Sequence, residues 1–559
     1  MAIYRSDQSR LSFASEAGLG GYLDYISAID DAGQAATTLT GVHAAGSRSL
    51  TVVSTANYLA LDYVQIGTAA LGNAEVRRVV VVSSATVMYI DQPLGFYHAN
   101  GEDVDEKSST LTGLAGTSMV TFLPGVYETV TVPDMVPQIE PSYFLGTASN
   151  RNWTVAYRGR QTFSGSLPNF ILLNGYPLRF PIGSVRTTAS AVTAVSTTTT
   201  ADTFKGQRRL PVTDGTPAAV AFANGDFIEI ERGGTNPEVR QIISGGGVDG
   251  ATTFILNYPM MFAHANPVTV SVADETGSYF YTHTIVEAVG LDSMSWHLLL
   301  RDSDSTAAND FIRRYIGGKV NRATLRADEG GMLLMSFDEV PFIDLIHNQQ
   351  FHSLVGASTD ITKFAGAMIA PAGIGGDLPH SGGALGTPVY PTTEPYYFSR
   401  GSLTFFGVEF ARIRSFSLEV NNNLEPRYYV RDTASGRIPH EIQEQRREYR
   451  MTARVALPDS IAAAASTLNK TLFKELLLEG NYGSGMAGFD ITVVFTRGTN
   501  DNITITIPPS AAAAGLDSEG AYIVRASNNI GGESPTEVDL EMIFRSLSLV
   551  IRDLIPVYP

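Results

Sequence analysis

Short runs in which apolar and polar residues alternate, bounded by Gly, Asn, Asp and Pro, recur along the chain, as in Thr154 to Phe163, Val320 to Leu325, Ile491 to Thr496 and Ile503 to Ile507. A period of two sends successive side chains to opposite faces, so each run predicts a half-buried strand. Helical spacing is found in two places. Over 467–479, Leu468, Leu472 and Leu476 share a stripe with Phe473 and Leu477, and Gly480 follows as a left-handed cap. Over 307–316, Phe311, Ile312 and Tyr315 are spaced as one helical face ahead of Gly317 and Gly318. A mainly β chain with a helix flanking the strands is expected.

The strand pattern contains an internal repeat, which constrains architecture more than any single element does. Gly46-Ser47-Arg48-Ser49-Leu50 matches Gly206-Gln207-Arg208-Arg209-Leu210, and Asp62-Tyr63-Val64-Gln65-Ile66 matches Asp226-Phe227-Ile228-Glu229-Ile230. Glu75-Val76-Arg77 then matches Glu238-Val239-Arg240, and Phe96-Tyr97-His98-Ala99-Asn100 matches Phe262-Ala263-His264-Ala265-Asn266. The offset drifts only from 160 to 166, as loop insertions between preserved strands would cause. Residues 36–105 and 196–273 are therefore expected to be two copies of a small all-β module inserted in a larger body. His-Ala-Asn in both copies predicts a shared structural turn, hydrogen-bonded through imidazole and amide.

A weaker symmetry runs through the remainder. The strand at 153–163 leads to Leu172-Leu173-Asn174-Gly175, and the strand at 449–457 leads through the helix at 467–479 to Leu477-Leu478-Glu479-Gly480. The body is thus expected to be two β-sandwiches in tandem, one from residues 1–35, 106–195 and 274–350, the other from 351–559.

Composition narrows the function classes. With no cysteine, disulfide scaffolds, thiolate metal sites and cysteine nucleophiles are excluded. A formal charge of −17 opposes wrapping nucleic acid or lying on an anionic membrane, which require clustered Lys and Arg. The polar stretch Met1 to Arg10 and the lack of any long apolar run lead us to expect a soluble, unexported product with no membrane anchor.

Candidate chemistry is sparse. Gly483-Ser484-Gly485-Met486-Ala487-Gly488 has dinucleotide-loop spacing, but it is preceded by the predicted helix and followed by a strand, the reverse of the order that presents a helix N-terminus to phosphate. His347 and His352 lack the spacing of a helical zinc pair. Asp302-Ser303-Asp304 opens like a calcium loop without its glycine or closing glutamate. Asp30-Asp31 and Asp338-Glu339, if in strands, point to opposite faces, and neither Ser166 nor Ser484 sits in a nucleophile elbow. No catalytic, cofactor-binding or metal-binding residue is assigned, and no cofactor is expected.

Several phrases, in order, resemble the major tail tube proteins of long-tailed, siphovirus-like bacteriophages. In the first half they are Phe122-Leu123-Pro124-Gly125, Ile139-Glu140-Pro141, Leu145-Gly146-Thr147, Arg158-Gly159-Arg160, Gly165-Ser166-Leu167-Pro168 and Phe180-Pro181-Ile182-Gly183. In the second they are Gly318-Lys319-Val320, Gly330-Gly331-Met332-Leu333 and the stretch Phe416 to Pro426, which contains Asn421-Asn422-Asn423. The resemblance implies tail-tube-type β-sandwiches, with strands of neighbouring subunits lining the lumen of stacked rings. It also implies a virion tail component, assembled in the host cytoplasm with tape-measure, terminator and tip proteins, that conducts DNA without binding it. Tandem sandwiches favour a trimeric ring with pseudo-sixfold symmetry; one sandwich per chain requires a hexamer. An acidic lumen would repel phosphate. Ala365 to Pro395 and the tail Ile551 to Pro559 are expected to order against a neighbouring ring.

Two other classes are weighed. A decoration or host-binding protein would display Tyr58, Tyr63, Tyr89, Phe96 and Tyr97 as a carbohydrate platform, although modules this small need aromatics for their cores. A glycan depolymerase would need paired carboxylates in a groove, and no such pair is identified.

Overall fold

The computed structural model describes residues 4–21, 24–27, 36–60, 62–68, 71–107, 115–118, 122–133, 136–142, 155–213, 222–247, 252–302, 311–347, 393–405, 408–409, 413–429, 438–456, 490–508, 520–529 and 537–559. Antiparallel strands make up nearly all of their regular structure. Among the described residues, sixteen of the strands form the repeated part of the body. The first eight are β1 (Tyr4–Ser15), β2 (Val136–Ser142), β3 (Val155–Ile171), β4 (Met294–Asp302), β5 (Phe311–Gly318), β6 (Arg322–Asp328), β7 (Leu334–Phe342) and β8 (Asp344–His347). The second eight are β9 (Gly401–Phe405), β10 (Ile413–Asn421), β11 (Glu448–Ala456), β12 (Ile491–Gly498), β13 (Asp501–Ile507), β14 (Ala521–Asn529), β15 (Glu537–Phe544) and β16 (Ser548–Asp553).

The spatial order of these strands repeats. One eight-stranded sheet runs β2-β3-β7-β6-β10-β11-β15-β14, so its second four strands follow the order of the first four, each eight places later in the chain. Behind it, β1-β4-β5-β8 form a second sheet and β9-β12-β13-β16 repeat that order in a third. The two groups join where β6 pairs with β10 through seven consecutive residue pairs, from Arg322 opposite Asn421 to Asp328 opposite Ser415.

Alternation explains why these sheets stack. In β6, Ala323, Leu325 and Ala327 are buried between less buried Arg322, Thr324, Arg326 and Asp328, and in β10 Phe416, Leu418 and Val420 alternate with Ser415, Ser417 and Glu419. The apolar face can leave water only against another sheet. Trp296 of β4 meets Phe342 of β7 edge-on at 5.1 Å, and Phe416 of β10 meets Phe495 of β12 at 6.0 Å. Both contacts belong to one core spanning the two groups, each fully buried side chain contributing roughly 1.5–3 kcal/mol.

Each repeated segment rolls into a small barrel. In the first, the strand order is Ala36–Thr38, Asp103–Lys107, Tyr63–Ile66, Glu75–Val82, Val87–Ile90, Ser49–Thr51. The second has the same order: Val192–Thr198, Thr269–Ala273, Phe227–Ile230, Glu238–Ser244, Thr253–Leu256, Arg209–Pro211. Bridges between Leu39 and Val52, and between Thr199 and Val212, close the two sheets at equivalent places. Each barrel has its own core, around Val64, Ile66 and Met88 in one and Ile228, Ile230 and Phe254 in the other. The second barrel leaves the body on a stem of two paired strands, Gly183–Ala189 and Tyr281–Glu287, and the latter pairs with β16. A connection of the first group thereby widens the third sheet.

Four expectations need revision or fall outside the described residues. Phe311–Gly318 is strand β5, not the end of a helix: the spacing of Phe311 and Tyr315 also fits period two, and pairing with β4 and β8 supplies ladder partners on both sides. The helix expected at 467–479 lies outside the described residues, as does 365–392. The tail docks on its own chain. Ile555, Val557 and Tyr558 are buried, Tyr558 stacks on His283 at 3.7 Å, and Arg179 and Ser15 donate to the Pro559 carbonyl. Its apolar side chains complete a core that is already local, so no second copy is needed to cover them. No described helix is long and apolar enough to cross a membrane.

Candidate assembly surface and buried ionic knots

The eight-stranded sheet turns its second face outward, and that face is polar. On β11, Arg450, Thr452 and Arg454 are exposed between buried Tyr449, Met451, Ala453 and Val455. Cross-strand carboxylates meet the arginines: Arg454 reaches Asp539 at 2.7 Å, Arg450 reaches Glu541 at 3.3 Å, Arg414 reaches Glu537 at 2.7 Å, and Arg322 reaches Asp338 at 3.6 Å. Such exposed pairs stabilise little, but they leave few cations free to hold a phosphate. Asp338, flagged in the sequence beside Glu339, thus belongs to a charge pair with Arg322 and also accepts from Thr324 at 2.7 Å.

The junction between the two strand groups is pinned by the asparagine stretch singled out in the sequence. Asn422 is buried and donates through Nδ2 to the carbonyls of Val320 (2.9 Å) and Pro181 (3.0 Å), while its Oδ1 accepts from Arg447 at 2.7 Å. Asn423 adopts a left-handed backbone, φ 48°, that turns the chain away, and the Leu424 N–H donates to Asn321 Oδ1 at 2.7 Å. In Phe122-Leu123-Pro124-Gly125, Phe122 bridges to Phe13 of β1, and a Cβ on Gly125 would lie 2.2 Å from the Ile171 carbonyl oxygen, so only glycine fits.

The barrels hold the densest polar chemistry. In the first, His98 Nε2 lies 2.7 Å from Glu75 Oε1 and Nδ1 lies 2.7 Å from Glu102 Oε2, with Arg77 bonded to Glu75 and to the Pro93 carbonyl. In the second, His264 lies 2.6 Å from both Glu238 and Glu231, and Arg240 lies 2.6 Å from Glu238. Burial alone would lower the imidazole pKa, but the two carboxylates outweigh it: His98 is pushed up to about 9 and His264 is raised. Burial opposes the charge of Glu75 and Glu238 as well, yet the neighbouring arginine and imidazolium hold both below the ordinary carboxylate value. With both ring nitrogens donating, neither histidine offers a lone pair to a metal. The role is structural, as the sequence suggested, but imidazole partners carboxylates here, and the amide of Asn100 serves separately, accepting from the Gly41 N–H at 2.7 Å.

The second carboxylate of each knot could not have been found by matching the repeats. Glu231 of one barrel aligns with Gly67 of the other, where a Cβ would lie 3.0 Å from His98. Glycine vacates the place, and Glu102 fills it from a different strand end. The aromatics considered as a carbohydrate platform are largely internal: Tyr58, Tyr63, Phe96 and Tyr97 are buried, and Tyr89 is half-buried. Tyr97 packs against Phe204 of the other barrel at 4.8 Å. Ser166 exchanges backbone hydrogen bonds with Thr131 within β3. Asp30-Asp31, Ser303-Asp304 and the glycine loop 483–488 lie outside the described residues, as do the side chains of His347 and His352.

Compared with known proteins, the sequence finds no match among curated ones. The family of the phage tail tube protein matches residues 149–543, well over half of the chain, from before β3 to the end of β15 and including the second barrel but not the first. A continuous sheet with a charge-paired open face, in a chain so matched, is that of a structural component of the virion tail, built to assemble into a tube with other tail proteins: the chain belongs to the phage tail tube proteins.

Proposed function

We propose that three copies of this chain close into a ring, that the rings stack into the tube of a siphophage-type tail, and that the open face of the eight-stranded sheet lines the lumen. The observation that carries this reading is the repetition of one strand order within one sheet. Residues 1–35, 106–195 and 274–350 then form one sandwich domain and 351–559 a second, with 36–105 and 196–273 as inserted barrels that face outward. Two sandwiches per chain make six around a threefold ring, whereas a chain acting as one unit would need six copies. DNA, preceded by a tape-measure protein, passes through, and terminator and tip proteins close the ends.

The expected acidic lining takes a specific form in this reading. Arg450, Arg454 and Arg322 face the passage but are each engaged by a carboxylate, so phosphate meets a compensated surface instead of a field of free cations. Electron microscopy of the purified protein together with its solution mass tests the assembly. Stacked rings of three chains support the reading, rings of six chains overturn the trimer, and a monomer under all conditions that promote tube growth overturns the tube role.

A further inference from the structure

The core shared by the two strand groups is not filled everywhere. Beneath the junction of β6 and β10 lies a cavity of about 20 Å³, walled by Ala323 and Leu325 of β6, Met335 of β7, Leu418 of β10, Ile505 of β13 and Leu549 of β16. All six side chains are buried, and every described residue that lines the space is apolar.

The strand register accounts for the gap. On the inner face of the eight-stranded sheet, Met335, Leu325 and Leu418 stand side by side, and so do Phe337, Ala323 and Val420. Among the described residues that line the cavity, Ala323 alone ends at Cβ, so its row reaches less far toward β13 and β16. The walls are held from closing over the shortfall. β6 is hydrogen-bonded to β7 on one side and to β10 on the other, and Asn422 holds the carbonyl of Pro181, another lining residue. Collapse would strain those bonds, whereas leaving the space open forfeits only dispersion contacts.

The walls also decide what enters. The room exceeds the roughly 10–15 Å³ that one water occupies, but a buried water needs about two to four polar partners. None of the lining side chains supplies one, and the backbone groups of β6 are engaged by both neighbouring strands. A guest without polar groups gains dispersion from every wall and gives up no hydrogen bonds. Met335, unbranched and flexible, yields where the guest is larger than the space.

We propose that this cavity is a binding site for one small apolar molecule, in the size class of xenon, methane or dioxygen, and that its occupant ties the two strand groups together. Ala323, Leu325 and Met335 belong to one group and Leu418, Ile505 and Leu549 to the other, so a bound guest touches both and is lost when they part. The site is complete within a single chain and does not depend on the tube reading.

Xenon is the probe. The full-length chain is titrated with dissolved xenon while the xenon resonance is followed by NMR, and the thermal unfolding midpoint is recorded at the same gas pressures. The unsubstituted chain is expected to give a saturable shift and a midpoint that rises with xenon pressure, because the guest binds only the folded state. Ala323→Val fills part of the space and should abolish the saturable shift together with the xenon-dependent rise. Leu418→Ala widens the space and should reach saturation at lower pressure. A shift of the unsubstituted chain that stays linear in pressure, as weak surface contact produces, would overturn the site. Equal saturable shifts in the unsubstituted chain and Ala323→Val would put the xenon elsewhere and overturn it too. Circular dichroism certifies that each variant has folded; should Ala323→Val fail that check, Leu418→Ala decides, and saturation at unchanged or higher pressure counts against the proposal.

Discussion

The chain contains two duplications, and they are finished in opposite ways. Each barrel closes on itself through one bridge, Leu39 with Val52 or Thr199 with Val212, and locks its closure with a buried Glu-His-Glu cluster and an arginine. The repeated strand groups share one core and one sheet, and among the described residues that sheet ends on strands paired on one side only. Closure uses up the edges and makes a self-sufficient unit; continuity leaves edges that a further unit can extend. The same device, a repeated set of antiparallel strands, yields a closed module in one case and a continuous sheet in the other.

The sharpest way to break this contrast is to remove a carboxylate from a knot. Glu75→Ala strips partners from His98, Arg77 and the Gly95 N–H, and is expected to destabilise the first barrel by about 3–5 kcal/mol because buried charges lose their compensation. Amide hydrogen exchange at Val64 and Ile66 would accelerate while that at Leu325 and Leu418 stays slow. Equal acceleration at both would mean that barrel and body do not unfold as separate units.

Asn422→Ala should act the other way round, loosening the body and sparing the barrels. Two buried carbonyls lose their donor and Arg447 its acceptor, a loss of about 1–3 kcal/mol visible as a lower denaturation midpoint with unchanged exchange at Val64.

A smaller effect comes from pH. His98, held at about 9 against an ordinary 6.5, takes up a proton on folding, so its contribution is complete below pH 6.5 and is lost as pH rises through about 9. On the acid side, lowered Glu75 and Glu238 lose theirs as pH falls through their depressed values. The barrels should therefore be most stable in weakly acidic to neutral solution, and their melting temperature should fall between pH 7 and pH 10, as scanning calorimetry would record. The least effect is expected of Arg454→Ala on the open face, where solvent screens the pair with Asp539: the melting temperature should not change measurably, but retention of the assembled tube on a DNA column should fall if a free Asp539 then repels phosphate.

Much of this was legible in the sequence, for identifiable reasons. The barrels could be read because their turns demand particular residues, and Gly46, Gly206, His98 and His264 recur in register. Strands such as Ile491–Gly498 and Asp501–Ile507 declared themselves because one face is buried and period two is enforced. Strand β5 differs from the expected helix because Phe311 and Tyr315 share a face under either period, and only the ladder partners in β4 and β8 decide between them. The knots were half legible: the repeat flags Glu75, Arg77 and His98 and their counterparts, yet Glu102 and Glu231 stand at unequal positions and meet histidine only through tertiary closure. The sharing of one sheet by both strand groups leaves no local trace, since Arg322 and Asn421 are paired from far-separated parts of the chain.

The buried tail carries a temporal consequence. Tyr558 packs on His283 and Tyr176, and β16 supplies the partner of Tyr281–Glu287, so the first strand group waits for a segment made much later in synthesis before its own interior is filled. Contacts so distant along the chain form late. The body is thus completed as one unit, and no early part of it can reach its final packing while the segment that holds β16 and Tyr558 is still unmade.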